Sequence, residues 1–456
     1  LTLSTAGATA SAINQTGGIT ADNATIATAG TTSNITLDDN GNTIDVATTL
    51  DIDTNGSNIS QTGAIDSTGA AITINSGANG GTITQNGAIT AASLAIGTTA
   101  NNATITRTAG TITVADVDIT TTGDNATIDN TGNIVATDID ITTDGADNSD
   151  ITNAGNLSAA TITLSTDADN AAISQTGDIA ATTSTNITSN GDAATIGVAG
   201  NVSGAGDFTV TAQGTNSTIT QNGTINITGD AALAATANNS AIAQTGNITA
   251  DNVSLTTTGD NGNITSNATI NATTNVTLTT QGDDADITST GSIANAVDTT
   301  ITTAGDDSLI DLSTASINTS DDLVITTAGA SDSAITTNTI TADDVTITTA
   351  GSNSDIDVSA GDITSSGTIT ATTTGGSVIT LDTAGSARTH QANTINLTSN
   401  AAANGITIAN AGTLVRANAV AGAGTLNFDE TTNPIVTGTT YNAGGTGGTI
   451  TIDGDF

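Results

Sequence analysis

Ile242-Ala243-Gln244-Thr245-Gly246-Asn247-Ile248-Thr249-Ala250-Asp251-Asn252-Val253-Ser254-Leu255-Thr256-Thr257-Thr258-Gly259-Asp260-Asn261 is one copy of a unit that fills most of this chain. Apolar or small residues alternate with polar ones inside each short run, which is the period of a strand with one buried face. Gly, Asn and Asp separate the runs and supply positive φ and side-chain-to-backbone bonds at corners. A helix is excluded, because no 3.6-residue stripe exists and Gly and β-branched residues recur throughout.

The leading Ile recurs at Ile13, Ile35, Ile59, Ile83 and Ile105, and onward to Ile335, Ile356 and Ile379. The sixteen steps between Ile13 and Ile379 cover 366 residues, about 23 each, and single steps run from 21 to 25. Three strands and three corners in 23 residues cannot close a domain, so each unit must bury its apolar edge on its neighbours. The expected fold is all-β, a right-handed parallel β-solenoid with three strands per coil and about 20 coils. At the usual strand spacing of about 4.8 Å, such a stack would be about 95 Å long.

Composition agrees with a narrow core. The 456 residues contain no Cys, Met or Trp, one Tyr and three Phe, while hydrophobic residues still reach 36%. Stacked Ile, Val, Ala and Thr fill a thin tube that has little room for rings. The formal net charge of −41 excludes nucleic acid as a partner, since its affinity is drawn from Lys and Arg. No apolar run is long enough for a membrane helix, so membrane insertion is not expected. The chain opens on Leu1 and has no Met, which points to processing or to a segment of a longer chain. With only three Arg and no Lys, trypsin-like proteases find few targets, which suits a secreted, extracellular location.

Several rows of side chains should stack between coils. Gln15, Gln61, Gln85, Gln175, Gln221 and Gln244 lie two residues after the anchor Ile, with Asn130, Asn153 and Arg107 in the same row. Amides in register bond one another as a ladder, and this row is read as structural. Thr120, Thr142, Thr256, Thr279, Thr302, Thr326 and Thr348 form an outward row, which resembles the face of ice-binding solenoids. Asp118, Asp140 and Asp298 are expected to interrupt that face. Asp124, Asp147, Asp260, Asp283 and Asp306 all fall in the corner before the next anchor. Carboxylates stacked there repel by about 1 kcal/mol per pair in water. They are read first as solubilising charge, with Ca²⁺ between them as the metal alternative. No cofactor is required. Catalysis has little to draw on, with His390 the only His and no thiol or Lys, so no enzyme is expected.

Composition changes after residue 387. Arg388, His390, Arg416, Glu430, Pro434 and Tyr441 include two of the three Arg and the only His, Glu, Pro and Tyr. The expected organisation is a repetitive rod over 1–387 and atypical coils over 388–456, serving as a cap or a joining segment. A Gly-rich stretch from Gly444 to Gly448 leads into Thr449-Ile450-Thr451-Ile452-Asp453 and ends at Phe456. Such a strand could add to the edge of a neighbour that opens with Leu1-Thr2-Leu3. Leu1, Leu3, Ile450, Ile452 and Phe456 are therefore the candidate self-association residues of a head-to-tail homopolymer.

Over residues 1–385 the Thr/Asn/Gly-rich units, of which Ile242-Ala243-Gln244-Thr245-Gly246-Asn247-Ile248 is typical, resemble those of filamentous-haemagglutinin-type exoproteins and autotransporter adhesin passengers of bacteria. That resemblance implies a right-handed β-helix, export to the cell surface, and adhesion or matrix building, with cell-surface glycans or matrix as partners. The functional expectation is a secreted, non-enzymatic fibre-forming protein. A monomeric adhesin stalk and an ice-binding solenoid are the alternatives.

Overall fold

The computed structural model describes residues 1–399 apart from 8, 39–40, 56–57, 78 and 383–385, and beyond them 405–407, 414–417, 425–430, 440–443 and 449–453. The described residues hold strands and turns and no helix. The fold is a parallel β-solenoid of about 17 turns, each of about 23 residues, so the period read from the sequence holds and the expected count of about 20 is close.

Each coil starts with a short strand that carries the anchor Ile. The next stretch forms a wider sheet in two arms, and here the expected three-strand coil is simplified in places. Asn247 to Thr257 shows how: Ile248–Thr257 runs as one strand, with a register shift between Ala250 and Asn252 where a corner was expected. Elsewhere the arms are separate, as in Ile112–Thr113 and Asp116–Thr121. Such bulges absorb the variation in step length without moving the buried rows.

Two compact units make up the chain, Leu1–Asp230 and Ala231–Phe456. In the first, the anchors stack in register, for instance Ile105 on Ile128 and Ile128 on Ile151. The wide sheet adds Ile112, Ile134, Leu157, Ile179 and Val202 as a second row. A third row runs through Ile119, Ile141, Leu164, Ile187 and Val210. These side chains are buried, and Phe208 is the one large ring that the core of this unit admits among the described residues. Burying each aliphatic side chain contributes about 1.5–3 kcal/mol.

The second unit repeats the scheme. Its anchors run Ile242, Ile264, Ile287, Ile310, Ile335, Ile356, Ile379 and Ile406. The compositional change near residue 387 falls inside this unit, where the coil-to-coil register continues from Ile363 to His390 and Val415.

At the corner before most of the described anchors one residue takes positive φ. Asn125, Asn148, Asn170, Asn261, Asp284 and Asp307 all hold φ between 50° and 56°. Asn and Asp tolerate this conformation better than other non-glycine residues, which explains why they recur at this corner.

Candidate functional site

The amide row is sealed. Gln61, Gln85, Arg107, Asn130, Asn153 and Gln175 are all buried. Gln85 Nε2 donates to Gln61 Oε1 at 2.9 Å, and Asn153 Nδ2 donates to Gln175 Oε1 at 2.7 Å. Gln61, Gln85, Asn153 and Gln175 also reach the glycine two residues on, as Gln175 Nε2 does to Gly177 O at 2.6 Å. The recurring Gln-x-Gly triplet is thus one hydrogen-bonded device. Where the next coil offers a Leu, as Leu37 does beside Gln15, the Gln15 amide has no partner among the described residues.

Arg107 lies in this row with no carboxylate bonded to it among the described residues. Its Nε donates to Gln85 Oε1 at 2.6 Å, and its other nitrogens reach Asn130 Oδ1, Gly132 O and Gly110 O. Burial pushes its guanidinium down to about 10, so it stays cationic at neutral pH and is satisfied by carbonyl dipoles alone.

The corner aspartates have a task that sequence reasoning missed. In the first unit, Asp124 Oδ1 accepts the Ala146 N–H at 2.7 Å, and Asp169 Oδ1 accepts the Asp192 N–H at 2.8 Å. In the second, Asp260 accepts from Asp283 N at 3.2 Å, Asp283 from Asp306 N at 2.9 Å, and Asp306 from Ala330 N. The main-chain carbonyls of the same aspartates take N–H groups from the preceding coil, as Asp147 O does from Asn125 at 2.8 Å and Asp283 O from Asn261 at 2.8 Å. Each such corner is stapled to the coil before it and, in most cases, to the coil after it. The spacing of one Asp per coil was the available signal, since an acceptor at fixed phase can serve the next backbone as readily as an ion.

As metal candidates, Asp124 and Asp147 share one column, and Asp260, Asp283 and Asp306 another. Among the described residues, the three carboxylates whose oxygens all lie within 4.8 Å are instead Asp298, Asp321 and Asp322. Loss of hydration beside its neighbours, then the charges of Asp321, Asp344, Asp298 and Asp343, holds the exposed Asp322 carboxyl above its ordinary range. On the other unit a shallow groove is lined by Asp116, Asp118, Asp138 and Asp140, which pair rung to rung. Burial, with Asp167 and Asp118 nearby, raises Asp144.

The threonine face carries carboxylates, as expected. Asp118 and Asp140 stand two residues before Thr120 and Thr142. Asp298 faces outward on the same side of its strand as Thr300 and Thr302, four residues before Thr302, and pairs with Asn275. In the second unit the face presents Ser254 and Thr256, Thr277 and Thr279, Thr300 and Thr302, Val324 and Thr326, and Thr346 and Thr348 in register, with Asp298, Asp322 and Asp344 outward at the start of their strands.

The candidate joining residues are placed in part. Leu1 is 53% exposed, and its ammonium donates to Asn23 O at 2.7 Å. Leu3 lies in Thr2–Thr5, paired with Ile26. Ile450 and Ile452 lie in Thr449–Asp453, in register with Leu426 and Phe428. Phe456 lies outside the described residues. His390 is 2% exposed and cannot meet a substrate from solvent.

No protein-family model, curated protein or solved structure matches this chain.

Proposed function

We propose that this chain is a secreted structural protein whose copies associate end to end, coil on coil, into a cell-surface or extracellular fibre. The observation that carries the reading is the in-register repetition itself. Ile stacks on Ile, Asn on Asn and Thr on Thr, so the surface that one coil offers to the next is the surface it needs in return. A coil of another copy fits such a surface as well as a coil of the same chain, and a contact of this head-to-tail kind propagates without closing. The Thr/Asn/Gly-rich units resemble filamentous-haemagglutinin-type and autotransporter passengers, which supports placement at the bacterial cell surface. A role without catalysis is supported by the burial of His390 and Arg107, which leaves carboxylates as the main ionisable groups on the surface.

Negative-stain electron microscopy and sedimentation velocity of the purified chain provide the test, with calcium and then with EDTA. Fibres that disappear when 444–456 is deleted support the reading. Single chains at high concentration in both conditions overturn it, and leave a monomeric adhesin stalk.

A second reading rests on the threonine rows of the second unit, which run beside the outward Asp298, Asp322 and Asp344. Its rungs repeat at roughly 4.8 Å between coils and roughly 6.7 Å along the strand. This two-dimensional grid suits an ordered water lattice. Ice-shaping activity lost in Thr302→Asp and Thr326→Asp variants would favour ice binding, and its absence in the parent chain rejects it.

A further inference from the structure

The first row of the wide sheet in the second unit stacks Ile293, Ile317, Ile340 and Ile363, and the next rung is His390. An imidazole thus takes a place that its neighbours fill with isoleucine. It is 2% exposed and lies among Ile347, Val358, Ile369 and Leu397. Its Nε2 lies 2.9 Å from Leu381 O, which acts only as an acceptor, so Nε2 carries the proton. Nδ1 has no hydrogen-bond partner among the described residues. A neutral ring with a bare Nδ1 lone pair is tolerated here. A cationic ring would place a charge and a second N–H where nothing accepts them.

The charged groups nearby among the described residues come from three sides, and none of these bonds to the ring. Asp362 precedes Ile363–Ser365 and accepts the Thr389 N–H at 2.9 Å. Asp382 follows Leu381, and Arg388 donates from Nε to Ser359 O at 2.7 Å. The strands Thr368–Thr373 and Thr394–Ser399 carry no ionisable residue, and Leu414–Ala417 contributes Arg416 beside Val415.

We propose that His390 is an acid-released latch, whose protonation opens the strands Ile379–Thr380, Thr389–Ala392 and Thr394–Ser399 and frees the strands stacked on them, Ile406–Thr407 and Leu414–Ala417. Burial outweighs the Leu381 bond and the two aspartates, and holds the folded imidazole below its ordinary range. The opened coil therefore binds the proton more tightly than the closed one. Closure is at full strength above the ordinary imidazole value of about 6.5 and weakens as pH falls below it, by up to tenfold in the opening equilibrium per pH unit. Ordinary carboxylates stay ionised in this window. The inference rests on the fold alone and does not depend on fibre formation.

Hydrogen exchange of the full chain, corrected for intrinsic rates, tests it between pH 7.5 and 5.5. Protection of 379–380, 389–399, 406–407 and 414–417 should fall several-fold, while protection of 242–266 stays level. His390→Ile, which restores the residue of the neighbouring rungs, should abolish the fall, and His390→Gln should do the same at lower protection. An equal fall in His390→Ile, or none in the parent chain, overturns the latch. Because the chain has one histidine, its ring protons also titrate as a single NMR signal without any substitution. A folded midpoint at or above 6.5 overturns the proposal by itself.

Discussion

Arg107 shows what a single position can do inside a stack of amides. A buried cation is usually costly unless a carboxylate meets it, yet here carbonyl oxygens from Gln85, Asn130, Gly110 and Gly132 share the charge. Gln in its place would keep the ladder chemistry and remove the desolvation cost. Arg107→Gln should leave guanidinium unfolding of the full chain unchanged or shift it upward. Arg107→Ala should cost about 2–4 kcal/mol, because it opens a cavity and strands the Gln85 and Asn130 acceptors. The amide row was legible in the sequence from its phase behind each anchor Ile. That Arg107 is fully enclosed was not, because a cation at a repeat position reads as tolerance until burial is known.

At the scale of the corner, hydrogen-bond acceptors rather than charges hold successive turns together. Asp283 accepts the Asp306 N–H while its own neighbours in the column are carboxylates. Asp283→Asn keeps the acceptor and removes repulsion, so thermal unfolding should be unchanged or slightly raised. Asp283→Ala should cost about 1 kcal/mol. If calcium bridged this column, Asp283→Asn would abolish a calcium-dependent rise in the unfolding temperature, and scans with and without the ion check this. Gly177 is constrained differently, since a Cβ there would run into the Gly155 carbonyl of the preceding coil. Gly177→Ala should destabilise by about 1–3 kcal/mol, seen as lost exchange protection in the adjoining coils. Asp298 was legible at this scale as an outward charge beside the threonine row, because it shares the parity of Thr300 and Thr302 along one strand.

Across the whole chain, 44 acidic residues face three arginines. Copies repel at low salt, so end-to-end association should strengthen as sodium chloride screens the charge, over a range set by a Debye length of about 10 Å at 0.1 M. Sedimentation at matched ionic strength separates screening from binding: calcium and sodium should act alike if only screening operates. The period, the anchors and the parallel stacking were all legible, because a repeat displays its own alignment dozens of residues deep. The merging of two arms into one strand was not, since Ala250-Asp251-Asn252 reads as a corner by composition and is bent only by a register shift. One feature of the stack also bears on how it is made. Most bonds between coils among the described residues join residues 21 to 29 apart, as Val46 to Ser67 and Arg388 to Ser359 do. Loop closure for every such contact therefore involves about one coil of chain, whatever the total length. A strand emerging from a ribosome or a pore needs only the turn before it as a template, and can settle long before the rest of the polypeptide has arrived.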